Sequence, residues 1–427
     1  MVMMKTFISF FLFFFFPLAA LALTEIRDTE IENVLGDYLR PIAKAAQMDT
    51  DRLRIRLIAE DSFNAFVMGG GDIFLFSGFI TRVDNPAEIQ AVIAHEIGHI
   101  DLGHMVTIRA QQRNEMTRMM IMTALGAGMA ALNPQAGIGL MTGAGGLAHQ
   151  GMLAFSREEE RAADDYAVRL MLEGDVPLPA LLTVFQKMQN SYRESRTNPH
   201  NISHPLTEER IRSIRLHIET HNDRREAQNC QRLVMIQAKL AGYLDTHARV
   251  MTLYPETITD DAAIYARAIS RMRIGNFDLA RTGVNTLIRR HPDNPYFREL
   301  LGDIEFRSGN FDASVAAYEA ALARIERAPL MRLALARALA EREAEGDLAR
   351  ATTLARTVLL AERSPMAFLV LAKADPPRHD YYMAEFHLMR RNNGQALEFA
   401  RRAVRNLPKD SPEHTKAQDI IDTLRRR

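Results

Sequence analysis

The chain reads as mainly α: an α+β domain with a small sheet, followed by an α-solenoid. Three features lead there. Apolar residues recur at three- and four-residue steps from Pro86 to Met105, the spacing of a helix face. A β-rich run, Ile73-Phe74-Leu75-Phe76, follows three consecutive glycines, Gly69 to Gly71, and reads as a strand next to a turn. Farther on, Gly275-Asn276-Phe277-Asp278 returns as Gly309-Asn310-Phe311-Asp312. A self-similar step of that length marks stacked helical hairpins.

Taken in order, residues 1–22 read as an export signal. Lys5 supplies a charged start, Phe7 to Ala19 an apolar run, and Ala20-Leu21-Ala22 a small-x-small cleavage site. That run is shorter than the roughly 20 residues needed to span a bilayer, which favours cleavage over anchoring. No cysteine follows the site, so lipid attachment there is not expected. The single Cys230 cannot form an internal disulfide, so the exported chain must be held by its cores. Lys plus Arg and Asp plus Glu both total 53, which gives no global pull toward nucleic acid or anionic lipid.

Thr24 to Asp51 predicts an N-terminal helix packed on the first domain, and Leu53 to Leu57 a possible strand. Asn64 to Ser77 gives two short extended runs about the triple glycine. Of these, Ile73–Phe76 is the candidate for a strand that pairs with an extended peptide, against a buried hairpin.

The next helix has clear start signals. Asn85 is a suitable cap, Pro86 suits the first helical position, and Glu88 sits three residues after the cap. Within it lies His95-Glu96-Ile97-Gly98-His99. One helical turn puts His95 and His99 on the same face. Two neutral imidazoles so placed can hold one zinc ion, and Glu96 beside them can take a proton from an activated water. The alternative is a helix that happens to carry these residues, so a third ligand must decide. His104 is five residues beyond His99, about 140° around a continuing helix. It is therefore expected to face solvent or to support a ligand without binding metal itself.

Met119 to Ser156 contains no Asp, Glu, Lys or Arg, and Pro134 with Gly137, Gly139, Gly143, Gly145 and Gly146 interrupts it. A membrane hairpin, a buried helix pair and an apolar flap over the site compete here. The flap is favoured, with peripheral membrane contact through residues 119–156. Ser156-Arg157-Glu158-Glu159-Glu160 then opens another helix, in which Glu160 and Asp164 are one turn apart. One carboxylate could bind metal while the other orients a ligand histidine; a solvated acidic face is the alternative. Spacing does not choose among the three glutamates. Leu178 to Met188 reads as a further helix and Asn198 to Pro205 as a loop carrying His200 and His204.

His95–His99, the E-x-x-A-D of Glu160–Asp164, Asn64-Ala65-Phe66 with its glycine turn, and Ser203-His204-Pro205 before Arg210-Ile211 occur in an order that resembles the gluzincin metallopeptidases of the CAAX prenyl protease class, metallopeptidase family forty-eight. The resemblance implies a zincin-like fold, one zinc per chain held by His95, His99 and Glu160, Glu96 as base and Asp164 as supporting carboxylate. It also implies that His204 lies near the metal, as a reversible fourth ligand or as a stabiliser of the oxyanion.

From about residue 228 the Ala/Leu/Arg-rich repeats have the tetratricopeptide period, with looser copies through Gly346, Ala351 and Val358 and through Ala396, Ala400 and Ala403. The division expected is thus 1–22 signal, 23–227 zinc peptidase and 228–427 repeats. With an export signal, this pairing resembles periplasmic members of the family that assist assembly of outer-membrane proteins and degrade stalled ones. It implies docking of such substrates, or of the barrel-assembly machinery, on the repeats. Two other functions stay open: a chaperone or scaffold with a structural zinc site, and a membrane-inserted peptidase.

Overall fold

In a computed structural model, residues 24–68, 71–104, 156–195, 204–228 and 230–425 are described. Residues 1–22, read above as an export signal, the segment 119–155 and His200 lie outside them.

Chain order in the first domain is β1 (Glu25–Ile26), α1 (Thr29–Ala45), β2 (Arg54–Ile58), β3 (Ala65–Met68), β4 (Asp72–Phe76), α2 (Ser77–Ile80) and α3 (Pro86–Asp101). Asp28 caps α1 by accepting from the Ile31 amide, and the buried stripe Ile31, Val34, Leu35, Tyr38, Leu39 and Ile42 keeps helical spacing. The sheet order is β1-β2-β4-β3, with β2 and β4 parallel and the other pairs antiparallel. Ile73–Phe76 is therefore an interior strand, paired on both sides. Among the described residues the outer strands are β1 and β3, so residues 73–76 form a buried hairpin with β3 and the placing of a peptide-pairing edge there is corrected. Strand order depends on long-range pairing, and local alternation carries no record of it.

Helices Arg157–Glu173, Pro179–Ser195 and Glu208–Thr220 complete the domain. One core unites α1, the sheet, α3 and these helices around Ile73, Leu75, Ile89, Ile93, Ile97, Leu170 and Leu178, all fully buried.

Helical hairpins follow. Asp261–Arg273 pairs with Phe277–Arg290, Pro295–Arg307 with Phe311–Leu322, Pro329–Arg342 with Asp347–Ala361, and His379–Met389 with Asn393–Asn406. Pro365–Ala374 and a 3-10 turn at Pro376–Arg378 are inserted before the last pair, and Pro412–Arg425 closes the stack. Gly275, Gly309 and Gly346 share φ near +82° at corresponding turns, which explains why the repeat is written around glycine. Small buried residues at the repeat offsets, such as Ala280, Ser314, Ala321, Ala351 and Ala400, let neighbouring helices approach closely. A helix at Gln231–Leu244 serves both regions: Leu233, Ile236 and Leu240 enter the first core, Met235 and Ala238 the repeat core. Among the described residues no helix is long and apolar enough to cross a membrane.

Candidate metal centre

The start of α3 follows the sequence signals. Asn85 accepts from the Glu88 amide, while Glu88 accepts from the Asp84 amide and the Asn85 side chain and pairs with Lys187 at 2.8 Å. A helix start fixed this firmly sets the rotation of its third and fourth turns, where His95, Glu96 and His99 are all buried.

On the Arg157–Glu173 helix the three consecutive glutamates part company. Ser156 and Glu159 form a capping box, Glu158 is exposed, and Glu160 is fully buried against the histidines. His204 arrives on the bend before Thr207, which caps Glu208–Thr220.

The four inward groups converge. His95 Nε2 lies 3.1 Å from His99 Nε2 and 3.2 Å from His204 Nδ1. Glu160 Oε1 lies 3.4 Å from His99 Nε2 and 2.9 Å from His204 Nδ1. One donor atom from each residue falls within 4.8 Å of all the others. Tetrahedral zinc with ligands at about 2.0–2.1 Å places its donors about 3.3 Å apart, so these separations fit a zinc ion. Three imidazole nitrogens and a carboxylate oxygen aimed at one buried point form a donor set that suits a cation.

Behind the donors stands a second layer. Asp164 Oδ1 lies 3.0 Å from His95 Nδ1. The Arg210 guanidinium donates to both Asp164 oxygens, at 2.6 and 2.8 Å, reaches Glu160 Oε2 at 2.5 Å and donates to the Pro205 carbonyl at 2.9 Å. The sequence alone gives Arg210 no role, because its Asp164 partner lies 46 residues away. His104 is buried, with Nδ1 3.0 Å from His99 Nδ1. The solvent-facing option for it is thus overturned, while support of a ligand histidine agrees with its position. The 140° argument assumed an unbroken helix, yet α3 ends at Asp101 and Gly103 (φ +71°) turns the chain back.

Electrostatics follow from burial. Burial alone would lower the His95 pKa, but the Asp164 and Glu160 carboxylates outweigh it and lift it to about 10. His99 is pushed down to about 2 by burial. Burial would raise Glu160, yet His204 and the neighbouring ring N–H groups hold it well below the usual carboxylate range. Burial raises the Glu96 carboxyl against the pull of His204 and His95. Glu96 Oε1 lies 3.4 Å from His204 Nε2, and its Oε2 has no hydrogen-bond partner among the described residues. Both carboxylate and histidine border a small cavity of about 30 Å³ with apolar walls, among them Phe63, Phe79, Val92 and Phe185.

Comparison with known proteins matches residues 26–218 to peptidase family M48 and residues 265–329 to a tetratricopeptide-repeat family. The chain is 29% identical over 297 residues to the beta-barrel assembly-enhancing protease of Escherichia coli O157:H7, covering 65% of this chain and 58% of that protein. The protein of the same name from Yersinia pestis is 26% identical over 322 residues, 73% of this chain and 65% of that one. Metalloprotease LoiP of Escherichia coli strain K12 is 29% identical over 191 residues, 44% of this chain and 68% of that one. The chain thus spans less than two thirds of the length of the beta-barrel assembly-enhancing relatives. It carries a domain of peptidase family M48 followed by tetratricopeptide repeats.

Proposed function

We propose that this chain is an exported zinc metalloendopeptidase of the periplasm that acts on unfolded or stalled outer-membrane proteins, with its repeats docking substrate or assembly machinery. The carrying observation is the convergence of His95, His99, Glu160 and His204 on one buried point with Glu96 alongside. The names of two similar relatives support the choice of substrate; the export signal read in residues 1–22 supports the compartment.

In this reading His95, His99 and Glu160 hold one zinc ion. When bound, zinc supplies Lewis acidity toward water and the peptide carbonyl. Glu96 takes the proton released as water oxygen bonds to the carbonyl carbon, then passes it to the amine nitrogen as the C–N bond breaks. Asp164 keeps the His95 ring in place, and Arg210 holds Asp164 and Glu160 together. His204 Nδ1 sits inside the donor set, which favours a reversible fourth ligand over an oxyanion stabiliser.

An unfolded outer-membrane protein incubated with the purified chain, with and without chelator, tests this. Glu96→Gln should cut cleavage by about 10²–10⁴-fold with the fold and zinc content intact. His204→Ala should raise basal cleavage; a fall at unchanged zinc content would favour the oxyanion role. If no cleavage that depends on both the metal and Glu96 is seen, the chaperone or scaffold reading with structural zinc takes its place.

A further inference from the structure

The repeat stack encloses a cleft of about 970 Å³ between Pro295–Arg307, Pro329–Arg342, the start of Pro365–Ala374 and the end of His379–Met389. That volume is at the upper end of ligand-sized clefts. Its charge is uneven. Arg307, Arg337 and Arg390 all line it, are exposed, and have no carboxylate partner among the described residues. The acids of the same cleft are already engaged: Asp303 accepts from Tyr318 at 2.6 Å, and Glu362 accepts twice from Arg27 at 3.0 Å. In a chain whose formal charge is zero, the lining sets five arginines, Arg27 and Arg363 included, against the two acids Asp303 and Glu362, a formal surplus of three positive charges.

Two of the three guanidinium groups are also held in place. Arg337 lies over the Phe306 ring at 4.3 Å and Arg390 over Phe386 at 5.5 Å. Stacking of this kind leaves the N–H edge of the guanidinium pointing outward, ready for a carboxylate in two-point fashion. Met366, 39% exposed, adds an apolar contact in the cleft.

We propose that this cleft binds an extended acidic peptide, its carboxylates on Arg307, Arg337 and Arg390 and an apolar side chain near Met366. The proposal names the chemistry of the partner for the repeats and rests on their docking role above. Charge complementarity carries it. A nucleic acid is disfavoured because Phe306 and Phe386 are already stacked on by arginine and Tyr318, the third aromatic residue of the lining, is buried, leaving no exposed ring there for base stacking.

Fluorescence anisotropy tests it with the full chain carrying Glu96→Gln and a short labelled peptide alternating Glu with Leu. Saturable binding is expected, weakening with salt. It should fall about tenfold or more when Glu is replaced by Gln in the peptide, or when Arg307→Gln and Arg337→Gln are combined. Circular dichroism on the double variant excludes unfolding as the cause, and Arg390→Gln gives an independent arm. Equal binding of the Glu and Gln peptides, indifference to all three arginines, or tighter binding of a single-stranded oligonucleotide would overturn the proposal. Binding is read without cleavage, so its failure would leave the peptidase assignment standing.

Discussion

Arg210 is only 4% exposed and touches two carboxylates from another helix plus a backbone carbonyl, with its guanidinium 4.9 Å from the Phe185 ring. Removing one partner of a buried ionic network strands the others, at about 3–5 kcal/mol. Arg210→Ala should therefore lower the melting temperature sharply and weaken zinc retention. Arg210→Lys should recover little, because an ammonium cannot hold Asp164 in two-point fashion. A melting curve unchanged in Arg210→Ala would refute this account of the second layer. At this scale the sequence was partly legible. One helical turn between His95 and His99 was enough to pair them, and the same step paired Glu160 with Asp164. Choosing Glu160 over its neighbours needed family likeness, although the Ser156-x-x-Glu159 spacing is itself a capping-box signal that removes Glu159 from contention. His104 was misread in part because helix termination at Gly103 was not anticipated.

Among elements, the decisive pair is α3 and the Arg157–Glu173 helix, which bring histidines and carboxylates together across one seam. They meet at Gly98, where a Cβ would come within 3.1 Å of the Ala163 carbonyl oxygen and 3.3 Å of Tyr166 Cβ. Such a contact must be relieved by a shift of a few tenths of an ångström. Gly98→Ala should part the helices enough to weaken zinc binding about tenfold, read by competition with a chromophoric chelator, while most secondary structure persists. Unaltered zinc affinity would show that the seam yields without moving Glu160. Caps and apolar periodicity made both helices readable, since those signals are local. The order of strands was not, because β4 is recognisable as a strand from Ile73–Phe76 but its place between β2 and β3 is a property of pairing.

At the scale of the molecule, the peptidase domain and repeats are joined by a buried charge network. Lys239, only 3% exposed, lies 2.7 Å from Asp28 and 3.2 Å from Glu30 at the head of α1, and 3.9 Å from Glu299 in the repeats. Tyr265 donates to Glu30 at 2.8 Å from the repeat side. Burial opposes the Lys239 charge, but Asp28 and its neighbours hold its pKa well above the ordinary range. Lys239→Ala would leave buried carboxylates facing one another. A loss on the order of 3–5 kcal/mol is expected, with faster proteolytic separation of the two regions; limited proteolysis at matched protein concentration checks it. The glycine-based repeat announced the solenoid in the sequence, whereas this junction did not show there. Asp28, Glu30, Lys239 and Glu299 are ordinary polar letters until the fold brings them together.

The central claim is that two histidines of α3 and Glu160 share one zinc ion. X-ray anomalous scattering at the zinc edge, on crystals of the zinc-loaded protein, tests it most directly. The account predicts one strong peak about 2.0–2.2 Å from His95 Nε2, His99 Nε2 and a Glu160 oxygen. A stoichiometric zinc peak elsewhere in the chain, with Glu160 directed away from both rings, would contradict it.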